Sequence, residues 1–177
     1  MTERRVAHHS PGPDLSASPG AAWFALRLKS RREFAVRDAL DTAGIEQFLP
    51  TWEERSAWSD RIAKVTRPLF RGYIFARLVP DRAPELLQIR GVCQVLGTSH
   101  PEAIPDEVMR NLQRIAALPG AFSPCPYVAG EPVTVRIGAY AGVEGIVVRT
   151  AGAAELVVSI ELLGRSCRVR IDAADCE

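Results

Sequence analysis

The sequence predicts an α+β protein, an antiparallel α/β sandwich followed by a small closed β-barrel, and three observations carry that prediction. Between residues 22 and 118 the apolar pattern runs strand, helix, three strands, helix, strand, helix, an order that packs helices against an antiparallel sheet. Residues 119–128 hold three prolines and no charge, the composition of a semi-rigid linker. Residues 129–177 then change to about four or five short alternating stretches, the content of a small barrel.

Residues 1–21 contain Ser10-Pro11-Gly12-Pro13 and Ser16-Ala17-Ser18-Pro19-Gly20, too little apolar surface to order a chain, and read as a flexible tail. The first strand starts at Trp23, where Phe24, Leu26 and Leu28 alternate with Ala25, Arg27 and Lys29 as one buried face. A helix follows: Ser30 and Glu33 have capping-box spacing, Val36, Ala39, Leu40 and Ala43 form the apolar stripe, and Gly44 ends it. Arg31 and Arg32 fall in its first turn, where the helix dipole disfavours cations by about 0.3–1 kcal/mol each, a mild sign of an anionic ligand. Residues 45–52 read as a strand that Pro50 bends or confines to an edge, and residues 53–61 as a polar loop. Strands are expected over 63–69, 73–79 and 92–96, a short helix over 81–90, and a longer one over 105–118 with Val108, Leu112 and Ile115 on one face. In the last segment Leu156, Val158, Ile160 and Leu162 alternate with polar neighbours, as do Cys167, Val169 and Ile171.

With 177 residues, 47% hydrophobic and 24% charged, the chain has the composition of a soluble globular protein, which excludes disorder throughout. No uncharged apolar run approaches the roughly 20 residues that span a bilayer, and Met1-Thr2-Glu3-Arg4-Arg5-Val6 is followed by no apolar signal core. The expectation is a cytoplasmic protein with no membrane association. The net charge of +1 divides unevenly: residues 22–118 carry 15 Lys and Arg against 12 Asp and Glu, net +3, and residues 129–177 carry 5 against 7, net −2. Arg27, Lys29, Arg31, Arg32 and Arg37 lie within eleven residues against Glu33 as the sole carboxylate before Asp38, an electrostatic footprint for phosphates or else a solvated helix face. Cys93, Cys125, Cys167 and Cys176 form no Cys-x-x-Cys pair, and His8, His9 and His100 do not stand at ligand spacing from them, so neither a metal nor another cofactor is expected. Nucleophilic catalysis would require His100 to act as base for Cys93 or Cys125, a distant alternative to the expectation of no enzymatic activity.

The segment Gly130-Glu131-Pro132-Val133-Thr134-Val135-Arg136-Ile137-Gly138-Ala139-Tyr140-Ala141-Gly142-Val143-Glu144-Gly145-Ile146-Val147 reads as strand, tight loop, strand, with its glycines at positive φ or at close approaches. It resembles the KOW motif of the NusG family and of several ribosomal proteins; a generic SH3-like hairpin has the same pattern. A second segment, Arg67-Pro68-Leu69-Phe70-Arg71-Gly72-Tyr73-Ile74-Phe75-Ala76-Arg77-Leu78, crowds three aromatics together, and alternation puts Tyr73 and Phe75 on the face of Arg71 and Arg77. Such rings either meet a partner or fill the core.

Trp23-Phe24, Lys29-Ser30-Arg31-Arg32-Glu33, Pro68-Leu69-Phe70-Arg71-Gly72-Tyr73-Ile74-Phe75, Arg90-Gly91-Val92 and Ile104-Pro105 occur in the order of the NusG N-terminal (NGN) domain, ahead of a KOW domain. The resemblance spans about residues 22–177, and Leu28 to Glu33 with Trp58-Ser59-Asp60-Arg61 is similar to the specialised RfaH and UpxY paralogues. It implies a ferredoxin-like NGN sandwich over 22–118, a linker over 119–128 and an SH3-like KOW barrel over 129–177. It implies, too, a monomeric transcription elongation and antitermination factor, brought to the nucleoid by bacterial RNA polymerase. Phe70, Tyr73, Phe75 and Val95 would line an apolar pocket for the clamp helices of the polymerase. Lys29, Arg31, Arg32 and Arg90 would meet non-template DNA. Leu162, Leu163 and Arg165 stand where the family contacts a small-subunit ribosomal protein or Rho. The rival expectation is a ribosome-associated RNA-binding KOW protein, against which the net −2 of residues 129–177 argues, because a barrel gripping ribosomal RNA should be basic.

Overall fold

The computed structural model describes residues 20–58, 61–97, 99–118, 122–126, 130, 132–136, 138–150, 153–160 and 163–171. Residues 1–19 of the expected tail, residues 119–121, 127 and 128 of the expected linker, and Ala129, Glu131, Ile137 and Leu162 lie outside the described residues. In chain order the first elements are β1 (Ala22–Leu28), α1 (Glu33–Thr42), β2 (Glu46–Phe48), β3 (Thr51–Trp58), β4 (Arg61–Pro68), β5 (Tyr73–Leu78) and α2 (Ala83–Leu86). They continue with β6 (Val92–Val95), β7 (Ala103–Ile104), α3 (Asp106–Ala117), β8 (Phe122–Pro126), β9 (Val133–Thr134), β10 (Glu144–Thr150), β11 (Ala153–Ile160) and β12 (Arg165–Ile171). The chain divides into two compact units, Met1–Leu49 with Phe70–Met109 and Pro50–Leu69 with Arg110–Glu177. No helix among the described residues is long and apolar enough to cross a membrane.

The first unit is built on an antiparallel sheet in the order β2-β5-β1-β6, with β7 also paired to β1. Alternation sends Phe24, Leu26 and Leu28 of β1 and Ile74, Ala76 and Leu78 of β5 to one side, where Val36 and Leu40 of α1 and Leu86 of α2 complete the core. The single buried face expected for β1 becomes two, since Trp23 and Ala25 on the other side are also buried and exposure begins only at Arg27. The start of α1 differs from expectation. Its N-cap is Arg32, without a side-chain cap, because Glu33 is turned away from the helix end to accept the Gly72 N–H at 2.8 Å. Its end follows the sequence: Gly44 has φ +66, and the N–H groups of Gly44 and Ile45 bond back to Asp41 and Leu40. The helix expected over 81–90 is reduced to a 3-10 turn, Pro80–Arg82, and α2, because Leu87, Gln88 and Ile89 bond back three residues and tighten the chain.

In the second unit, β3 and β4 form a hairpin in register from Thr51 opposite Pro68 to Trp58 opposite Arg61, so that residues 53–58, expected within a polar loop over 53–61, are strand, and β4 largely matches the strand expected over 63–69. Diagonal ion pairs cross the hairpin, Glu53 with Lys64 at 3.1 Å and Glu54 with Arg67, and because successive strand residues alternate the two pairs lie on its opposite faces. Helix α3 buries Met109, Leu112 and Ile115 and leaves Val108 half-buried, so its apolar stripe starts one residue later than expected.

A five-stranded sheet in the order β8-β12-β11-β10-β9 accounts for the rest. Strand β8 lies within the expected linker and pairs with β12, Phe122 opposite Val169 through Pro126 opposite Arg165. Pro124 and Pro126 take alternate positions, so Ser123 and Cys125 carry the ladder and the outer edge of β8 lacks a donor at both prolines. That edge is thereby closed to further strand addition. Among the described residues β8 and β9 sit at the two ends of the sheet and do not pair, so the closed barrel that was expected is not found among them; β8 takes the edge of β12. The glycine-rich turn matches expectation, with Gly138 and Gly142 at φ +84 and +77 and a Cβ at Gly145 placed 2.8 Å from the Val157 carbonyl oxygen.

Candidate functional site

The order of the sheet makes the site. Because β1 runs antiparallel to both of its neighbours, its C-terminal end lies beside the starts of β5 and β6, and three connections meet there. The Leu28 N–H donates to the Gly72 carbonyl and the Lys29 N–H to the Gly91 carbonyl, each at 2.8 Å. Glu33, 7% exposed, ties the first turn of α1 to the same junction through the Gly72 N–H. Gly91 has φ +114, and a Cβ on it would stand 3.0 Å from Val36 Cγ2 and 3.3 Å from Arg32 Cβ, so only glycine lets the start of β6 approach α1 this closely.

Arg27, Lys29, Arg31, Arg32, Arg71 and Arg90 are all exposed around this junction. None forms an ion pair among the described residues, and the carboxylate inside the cluster, that of Glu33, is buried and occupied by a backbone donor. Arg31 adopts φ +60, the one described non-glycine residue in the left-handed region, at a cost of about 1–2 kcal/mol. Six unneutralised cations, Arg27 on β1 and the others on the three connections that meet at its end, can bind a polyanion without displacing any internal partner.

The structure thus brings the sequence candidates Lys29, Arg31, Arg32 and Arg90 to one end of the sheet and adds Arg27 and Arg71. Strand order is the signal that the sequence lacked: Arg71 and Arg90 are far from residue 29 along the chain and become its neighbours only once β1 lies between β5 and β6.

The aromatic candidates do not form an open pocket. Phe75 is fully buried and Phe70 is 3% exposed, meeting edge to face with ring centroids 6.0 Å apart, and Phe48 stacks on Phe75 at 6.3 Å. Tyr73 keeps partial exposure and stands opposite Arg27. Val95 is on the other side of the sheet, opposite Leu26 and packed on the helix-covered core. A register shift between Arg27 and Leu28 allows this: it places Val92 and Val95, three residues apart, on the same side, where plain alternation would separate them.

In the second unit Leu163 is buried and offers no apolar knob, Arg165 is exposed, and Leu162 lies outside the described residues. Cys93 is exposed and Cys125 and Cys167 are buried; burial pushes the Cys125 thiol up and that of Cys167 up to about 12, which makes both poor nucleophiles. Among the described residues no group of three or more His, Cys, Asp or Glu could hold a metal ion.

The family model described as transcription termination factor nusG matches residues 21–113, more than half of the chain and the whole of the cation junction. The chain belongs to the NusG family. Membership makes it a transcription factor of a family that acts with RNA polymerase. The solved structure reported under "Domain interaction in Thermotoga maritima NusG" has a similar fold, with 16% sequence identity and a TM-score of 0.50, covering 88% of this chain and 95% of that one. Comparison with curated protein sequences gave no match. In this NusG-family chain the matched segment contains β1 through β7, so the sheet, the aromatic rings and the six cations all fall inside the family region.

Proposed function

We propose that the chain is a non-catalytic elongation and antitermination factor of the specialised RfaH and UpxY type. It docks on the clamp helices of RNA polymerase and lays the cation junction against the non-template strand of the upstream DNA. Holding polymerase and DNA together favours the elongating state by differential affinity, which raises processivity. The observation that carries this reading is the junction itself: six exposed cations, none ion-paired among the described residues, in a family that works on a nucleic-acid-bound machine. In docking, Tyr73 is the accessible ring, on the same side of β5 as the buried Phe75, which meets Phe70 edge to face. Arg165, exposed at the start of β12, is the contact offered to a small-subunit ribosomal protein or Rho.

Co-purification with RNA polymerase tests the docking half. Tyr73→Ala should lose retention on the polymerase while keeping the wild-type melting temperature, and retention equal to wild type would overturn the role of Tyr73. Phe75→Ala is the contrasting control: emptying a fully buried site should cost about 3–5 kcal/mol of stability, whatever the polymerase does.

A further inference from the structure

We infer that Phe34, on the first turn of α1, is a stacking platform for an unpaired base of the single-stranded nucleic acid whose phosphates the cation junction holds. The inference rests on the nucleic-acid half of the proposed function and adds a recognition element to it. Phe34 is 37% exposed, one of three large hydrophobic side chains exposed among the described residues. The buried face of α1 is formed by Glu33, Val36 and Leu40, so core packing does not explain the ring. Helical side chains lean toward the N-terminus, which sets Phe34 over the turn that carries Arg31 and Arg32. The Arg37 guanidinium carbon lies 5.3 Å from the ring centroid, and Asp38 fixes that guanidinium through bonds of 2.7 and 3.0 Å. One ring face is thereby engaged by a cation, which leaves stacking to the other.

An aromatic ring beside a row of unpaired cations is the arrangement that single-strand binders use, with phosphates held by charge and bases by π-stacking. A protein surface would not need a base-sized aromatic to follow closely on the unpaired Arg31 and Arg32, and a duplex would not offer it an open base face. The occupant is therefore an unpaired strand.

The test is fluorescence-anisotropy titration of the full chain with labelled oligo-dT, oligo-rU and an abasic oligonucleotide of the same length, over a salt series. Phe34→Ala should weaken binding to oligo-dT about ten-fold, within the range that loss of one stacked base produces, and should leave the salt slope unchanged. Phe34→Trp should keep wild-type affinity and Phe34→Leu should not restore it. With the abasic strand, wild type and Phe34→Ala should bind equally. A preference between oligo-dT and oligo-rU assigns the strand to DNA or RNA. If Arg31→Ala with Arg32→Ala weakens binding but Phe34→Ala does not, stacking is wrong and the phosphate reading stands. If neither the wild type nor any variant binds these strands, both fall.

Discussion

Two regions of this chain are rich in cations, and they treat them in opposite ways. In the β3–β4 hairpin Lys64 and Arg67 each face a carboxylate, Glu53 and Glu54, across the strands. At the end of β1, six cations gather with no ion-pairing carboxylate among the described residues, the nearest acid having been drawn under them by the Gly72 N–H. Exposed pairs like those of the hairpin contribute about 0–1 kcal/mol, and they neutralise the field a polyanion would feel. What suits the end of β1 to a polyanion is the absence of neutralisation rather than the number of basic residues, and that absence is produced by topology.

The largest effect should come from stripping the unpaired cations. At 0.1 M salt a single-strand phosphate contact with a salt slope of about 0.7 is equivalent to about five-fold in affinity, so Lys29→Ala, Arg31→Ala and Arg32→Ala together should weaken oligo-dT binding about a hundred-fold. The logarithmic salt slope should fall by about 2. The same substitutions at Lys64 and Arg67 should change neither quantity, and equal losses in the two regions would erase the distinction between them.

Next in size is the junction that assembles the cluster. Gly91→Ala puts a methyl group 3.0 Å from Val36 at φ +114, and should destabilise the first unit by about 1–3 kcal/mol, read as a shift in the urea midpoint. Because Lys29 is bonded to Gly91, the same change should weaken oligo-dT binding. Loss of stability with intact binding would mean that the cations act without their scaffold.

Much of this site was legible in the residues themselves. The stripe and terminator of α1 and the basic run after β1 needed only local spacing, and the pattern at Gly138 and Gly142 needed only the conformational preferences of glycine. What local spacing could not supply was anything decided by a distant partner. Glu33 had capping-box spacing from Ser30 and was taken instead by Gly72, 39 residues away. Val95 lies on the helix-covered side because of a register shift in its pairing with β1. Residues 122–126 carried linker composition, yet prolines at alternate positions suit an edge strand equally well, and only the neighbouring β12 decides between the two.

A smaller effect separates charge from backbone strain within the cluster. Arg31→Gly relieves φ +60 at the expense of extra freedom in the unfolded chain, for a net gain of up to about 1 kcal/mol in stability, and it removes one phosphate contact worth about five-fold in affinity. Arg31→Ala should lose the same affinity without the gain in stability. Equal stability of the two variants would show that the left-handed conformation carries no cost.

The smallest effect is the most direct challenge to the comparison. Glu53→Gln with Glu54→Gln leaves the hairpin cations in place and removes only their partners, at a stability cost of about 0–1 kcal/mol for each exposed pair. If neutralisation is what silences the hairpin, Lys64 and Arg67 should begin to attract phosphate, and oligo-dT affinity should rise by about two- to five-fold at 50 mM salt with a steeper salt slope. The rise should vanish when Lys64 and Arg67 are also changed to alanine. Unchanged affinity in the doubly amidated hairpin would mean that pairing is not the difference, and that the shape formed where three loops meet at Gly72 and Gly91, rather than free charge, sets the affinity.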